Sequence, residues 1–292
     1  MTTPHTGSLE ARMREKLEQG HITGEGLEAF MAFVARKEAE LDQHEVIAHN
    51  SFTKWWKLGE ANPEQVKDLI GQFAVFSRLF PLIQALRVYL AETEEEEDDA
   101  RDILVNESGV NIDMATGSTE GKMFSHRAAH IKWLRRIGEI LGFARMDLGR
   151  WEHGTPSTHQ FLKTLQRLFS DPNRNIRAGA SFALESWAGF GIGPDPEADA
   201  NNFWSELVEG FRKVNASRQT LGLTSLPISF FIYHHDLERA HVENVEHELE
   251  ETFFHPEFDE ENWFAGVRAS LDATLIFWNG LNESRLKLEH PM

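Results

Sequence analysis

The chain has 292 residues, no cysteine, 41% hydrophobic residues and a formal net charge of −18. That length suits one large domain or two small ones, and the apolar content is enough for a real core, while the acidic balance argues against nucleic acid or an anionic membrane as partner, because phosphate recognition needs a basic face. Without cysteine, disulfides, iron–sulfur ligation, thiolate zinc and a cysteine nucleophile are all excluded, so any metal must be held by His, Asp and Glu.

The opening "MTTPHTGSLEARMREKLEQG" holds no apolar run of signal-peptide length. Residues 1–22 are expected to be flexible, residues 23–285 to form a single domain, and 286–292 to be a loose tail. A first helix is predicted at about 25–49. The next, at 64–91, carries Leu69, Phe73, Phe76, Phe80, Ile83 and Leu90 at helical spacing, behind Asn62 as cap and Pro63 at the first helical position. Pro81 inside it is expected to kink or split it. "EEEEDD" (94–99) reads as a solvated loop or helix start rather than a cation site. Further helices are predicted at 98–108, 123–142, 158–169, 174–188, 201–221, 227–252 and 260–284, separated by Gly- and Pro-rich breakers. "GFGIG" (189–193) follows no strand and reads as a loop between helices, not a phosphate cradle. No stretch approaches 18 uninterrupted apolar residues, so no membrane span is expected and a cytoplasmic location is the default. Strand-like alternation is nearly absent. The fold class is therefore all-α, a single domain of seven to ten helices.

Candidate ligands concentrate in "FFIYHHDLERAH" (230–241). On a helix His234, Glu238 and His241 fall within about 60° of one another, whereas His235 and Asp236 point elsewhere. Such a stripe is either a polar helix end or one face of a metal site; buried, it would need partners. In "AGASFALESWAG" (178–189) the lone acid Glu185 sits among small and apolar residues, and Ala178, Ser181 and Glu185 form a stripe able to face a cavity. Glu107 precedes a glycine stop in "DILVNESG", an unfavourable place for an acid because helix C-termini prefer cations. His126 and His130 share a predicted helical face.

In order, these pieces resemble the haem-oxygenase-like di-iron oxidases, kin of the thiaminase-like and pyrroloquinoline-quinone-synthase-like folds. The resemblance runs from "HNSFTKWWKLGEANPEQVKDLIGQFAVFSRLFP" (49–81) through "ARDILVNESG" (100–109), His130, "AGASFALESWAG" and "FFIYHHDLERAH" to "FAGVRASLDATLIFWNGL" (264–281). It implies a haem-oxygenase-like helical bundle. It also implies that Glu107, His130, Glu185, His234, Glu238 and His241 form a three-histidine, three-carboxylate site for two irons, Fe(II)/Fe(III), with O2 as co-substrate. This chain departs from the pattern in three places. Glu238 stands where Asp is common, Asn106–Glu107 replaces a frequent Glu-Glu pair, and the loop to His130 is long, which leaves His126 as a rival ligand.

The implied activity is that of an O2-dependent oxidoreductase in biosynthesis, performing N-oxygenation or oxidative C–C cleavage on a small amine or amino-acid-like substrate. A fatty-acid oxidative decarboxylase and a metal-free cofactor-biosynthesis or binding protein are the alternatives. A ferritin-like di-iron site needs two Glu-x-x-His motifs; here only Glu238–His241 and Glu18–His21 fit that spacing, the second containing Gly20. A homodimer and an external electron donor are expected. Phe73, Phe76, Phe80, Tyr89, Trp187 and Tyr233 are candidates for core or pocket lining, and Arg78, Arg87 and Arg177 for pairing with a substrate carboxylate.

Overall fold

The computed structural model describes residues 4–113, 118–190 and 202–289, with backbone alone at 4–8 and 239–247. Among the described residues there are twelve α-helices and one 3₁₀ turn, with no strand beyond an isolated Val110–Phe124 bridge. The helices are α1 (Pro4–Glu18), α2 (Gly24–Gln43), α3 (Glu45–Ala48), α4 (Ser51–Trp56), α5 (Pro63–Leu90) and α6 (Glu94–Ser108). They continue with α7 (His130–Ile140), α8 (Pro156–Phe169), α9 (Arg174–Gly189), α10 (Phe203–Thr220), α11 (Ser229–Phe253) and α12 (Glu260–Glu289). The count exceeds the expectation because His44 and Asn50 act as caps. Their side chains accept from Val46 N and Thr53 N and divide the early chain into short helices.

Two expectations about the ends are corrected. Residues 4–18 are helical, and Leu9 and Met13 are fully buried in the core, with Arg12 and Lys16 ion-paired to the buried Glu250 of α11. An isolated segment this polar has no reason to order; its two apolar contacts and the Glu250 pairs come only from the tertiary fold. At the other end α12 runs to Glu289, so the tail is helical over most of its expected length.

At the centre lies α5, contacting α6, α7, α8 and α12. Asn62 and Gln65 close a reciprocal capping box at its start. Pro81 does not split it: the helix is unbroken across the proline, with Ser77, Ile83 and Gln84 buried on either side. Packing against neighbours thus outweighs the lost hydrogen bond. By length and composition alone α5 would suffice to cross a membrane, but more than half of its apolar stretch is buried inside the bundle. Phe73 anchors an aromatic core, its ring 5.8–6.4 Å from those of Phe76, Trp204, Phe230, Phe231, Phe277 and Trp278.

Backbone meets backbone at the α9–α12 crossing, and glycine makes it possible. A Cβ on Gly179 would sit 2.0 Å from the Trp263 carbonyl oxygen, and one on Gly266 would sit 2.3 Å from that of Ile176. Only a hydrogen at each position lets the two backbones touch. This contact sets the height of α9 in the bundle and therefore the position of Glu185.

The "EEEEDD" acids form the first turns of α6, capped by Thr93. That placement complements the helix dipole, and Glu96 pairs with Arg174 of α9. The end of the "GFGIG" loop falls outside the described residues, beyond Phe190.

Candidate metal centre

The helix predicted over 123–142 begins seven residues later than expected, at His130. The reason is a local pairing: Ser125 N donates to Gly109 O at 2.8 Å, and Val110 bridges Phe124. The chain is drawn into an extended contact there and cannot be helical. Gly109 permits that contact. Its φ is +117°, and a Cβ would lie 2.4 Å from the Ser125 carbonyl and 2.9 Å from Ala129 N. The end of α6, carrying Glu107, is thereby clamped against the turn that delivers His130.

At this junction three side chains from three helices meet. Glu107 Oε1 lies 2.9 Å from His130 Nδ1 and 3.8 Å from His234 Nε2 of α11. One ligand atom from each of the three falls within 4.8 Å of the others. All are inside the protein; His130 is 1% and His234 7% exposed. Burial works against ionisation of Glu107, but when His130 and His234 are protonated their charge and hydrogen bonds outweigh it and lower its pKa to about 2; a metal ion would take the place of those protons.

The hydrogen bonding orients these groups toward a common point. His234 Nδ1 is 2.7 Å from the Phe230 carbonyl oxygen, which can only accept. The proton therefore sits on Nδ1, and in the neutral ring Nε2 turns its lone pair toward Glu107. His130 Nδ1 is buried near Glu107 but makes no well-directed hydrogen bond. Two imidazole nitrogens and an ionised carboxylate oxygen converging without hydrogen-bond geometry form a cation-binding donor set. An ion about 2.1 Å from each atom would space adjacent ligands by about 3.0–3.4 Å; the Glu107–His130 separation of 2.9 Å lies just below that range and the Glu107–His234 separation of 3.8 Å above it, so the side chains would shift by a few tenths of an ångström to close on an ion. The residues present fit a metal.

Glu238, one turn after His234, is buried at 6% exposure, and with Glu185 of α9 it lines the same cavity as Glu107 and His234. Glu185 also faces Arg87 of α5, with Oε1 4.0 Å from Nη1. The sixth sequence candidate, His241, has its side chain outside the described residues. His126 is exposed and packs on Phe124 at 4.7 Å, away from the cluster, so of the two rivals the fold brings His130 to Glu107. His235 and Asp236 hydrogen-bond each other at 3.2 Å, turned away as predicted.

Three residues support the cluster; Trp204 escaped the sequence reading, whereas Asn106 was noted there only as a departure from the family pattern and Tyr233 only as a core-or-pocket aromatic. Asn106, 3% exposed, donates to Val110 O at 2.9 Å and to Tyr233 Oη at 3.0 Å. The Tyr233 ring packs edge-on against His130 at 5.2 Å, and Trp204 stacks on His234 at 5.1 Å. Each is a neighbour, in sequence or in the aromatic core, of a candidate ligand. Among the aromatic candidates Phe73, Phe76, Phe80 and Trp187 line the cavity, whereas Tyr89 is 83% exposed. Of the arginines, Arg78 is exposed and Arg177 pairs with Glu92; only Arg87 reaches the neighbourhood of the site.

No family model matches the chain, and no curated protein matches it in sequence. Its fold, however, is shared. A domain of unknown function with a haem oxygenase-like fold from Shewanella denitrificans OS217 superposes with a TM-score of 0.60 at 15% identity, covering 89% of this chain and 96% of the other. A CADD-like protein of unknown function from Nostoc punctiforme PCC 73102 gives the same TM-score at 18% identity, covering 90% and 99%. The protein therefore has a haem-oxygenase-like all-α fold, as the sequence resemblance implied.

Proposed function

We propose that this protein is an O2-dependent non-haem di-iron oxidoreductase acting on a small amine or amino-acid-like substrate. The observation that carries the reading is the convergence of Glu107 Oε1, His130 Nδ1 and His234 Nε2 on one buried point, with the His234 tautomer set by Phe230. These three would hold one iron. The second would rest on Glu185, Glu238 and His241, the remaining members of the set that the resemblance implies. The likeness of the fold to that of a CADD-like protein is in keeping with this reading but is silent on activity.

Imidazole and carboxylate ligands of this kind would hold two ferrous ions, which when bound would supply the electrons for O2 activation. Everything else falls to the chain. Glu107, ionised through the physiological range, supplies negative charge, and His234 presents a single fixed nitrogen. Phe73, Phe76, Phe80, Phe230, Trp187 and Trp204 wall the cavity and keep bulk water from the ligands. The space is small, about 60 Å³, or roughly four to six water positions. Electrons to reduce the irons again would come from the substrate or from an external donor.

The test is anaerobic titration with Fe(II), followed by counting bound iron and measuring O2 uptake. Close to two irons per chain are expected, with loss of at least one in Glu107→Ala and in His234→Ala and retention of both in His235→Ala. Iron binding indifferent to both ligand substitutions would sink the proposal.

A further inference from the structure

A second cavity, of about 260 Å³, lies beyond the Arg87–Glu185 pair, between α5, α6, α9 and α11. Arg87 is the shared wall. On one side it approaches Glu185 of the candidate metal cavity, and on the other it lines the second cavity and contacts Glu248 at 3.5 Å. The stripe of small residues read from the sequence divides at this wall: Ala178 and Ser181 line the second cavity, and Glu185 lines the first.

The cavity's polar groups are unequally satisfied. Arg174 pairs with Glu92 and Glu96, and Arg177 with Glu92 and the carbonyls of Leu90, Asp171 and Pro172. Arg87 divides its charge between Glu185, Glu248 and the Gln84 amide oxygen. The arginines are thus committed, with no full positive charge left for an anion. Ser181, 3% exposed, keeps its Oγ buried without a hydrogen-bond partner, an arrangement that costs free energy unless a ligand completes it. Glu248 is short of positive charge. Burial pushes its carboxyl up, Arg87 offsets this in part, and Asp99, Glu96 and Glu251 push it further.

We propose that this second cavity binds the ammonium or guanidinium end of a small organic cation, held by the Glu248 carboxylate and the Ser181 hydroxyl. A cation there would lie one arginine away from the candidate metal cavity. Its identification as the substrate's amine end rests on the reading above; the binding itself does not.

The experiment uses calorimetric titration of metal-free protein with diaminobutane at physiological ionic strength, where diffuse attraction to the acidic surface is screened. Butanediol and succinate serve as the neutral and anionic matches. Diaminobutane is expected to bind, and its two counterparts to bind at least tenfold more weakly. Glu248→Gln should weaken diaminobutane binding at least tenfold. Ser181→Ala should weaken it severalfold without lowering the melting temperature, since the hydroxyl makes no internal bond to lose; this variant stands in should Glu248→Gln fold poorly. Glu25→Gln, exposed on α2, should leave binding unchanged. Binding indifferent to both cavity substitutions, tighter binding of succinate, or no binding of diaminobutane would overturn the proposal. Repeating the titration on Glu107→Ala separates the two readings, because failure of the metal site leaves cation binding intact.

Discussion

Gly109→Ala tests the link between fold and site most directly. Gly109 has φ +117°, and an alanine Cβ there would stand 2.4 Å from the Ser125 carbonyl oxygen, where real contacts stay above 3.0 Å. The left-handed backbone and the forced overpacking together cost about 2–5 kcal/mol. For a domain of this size that corresponds to a fall of roughly 3–8 °C in melting temperature. The 109–110 and 124–125 segments must also part by at least about 0.6 Å. Their separation carries Glu107 away from His130, now 2.9 Å apart, and ligand sets tolerate only about 0.5 Å of such displacement. Gly142 is the matched control: its φ is +85°, but no atom lies within 4 Å of its would-be Cβ. Gly142→Ala should therefore show the backbone penalty alone, about 1–2 kcal/mol, with iron binding intact. Urea denaturation and Fe(II) titration of both variants give the comparison. If Gly109→Ala matched Gly142→Ala in both stability and iron affinity, the clamp described here would be wrong.

Two further outcomes follow from packing and burial. Gly266→Ala should destabilise the protein by at least about 1–3 kcal/mol, because α9 and α12 must separate to accept its methyl group; an unchanged denaturation midpoint would contradict the backbone contact. Glu206 on α10 is buried at 7% exposure, and burial raises its carboxyl pKa above 4.5 despite the hydrogen bond from Thr53. Between 4.5 and its folded pKa the native state holds more protons than the unfolded chain, so stability falls as pH rises through that window. Glu206→Gln should thus melt higher than the parent at neutral pH, with the gap closing below pH 4.5; a gap independent of pH would refute the assignment.

Much of the helical plan was legible in the sequence. Period, caps and breakers placed eight of the nine predicted helices, because those signals act within a few residues of chain. Local spacing also put His234 and Glu238 on one stripe and turned His235 and Asp236 away from it. Pro81 and the N-terminal segment misled for the same reason: local rules predict a break and a loose end, whereas burial of Ser77, Ile83, Leu9 and Met13 overrides them.

The site itself belongs to the other category. Composition alone limited any metal to histidine and carboxylate ligands. The resemblance supplied an order of candidates with His130 as the ligand, yet His126 remained a rival, since either could occupy the predicted helical face. Their difference arises from the contact between Gly109 and Ser125, sixteen residues apart, which ends the turn at Ala129 and starts α7 at His130. Likewise, nothing in the spacing of Glu185 or Ser181 says that one faces the metal cavity and the other a second one; that division is made by Arg87, from another helix. Helix propensity and capping are local and can be read along the chain. Convergence of buried charges is a balance of desolvation against partners, and only the packed bundle brings those partners within reach.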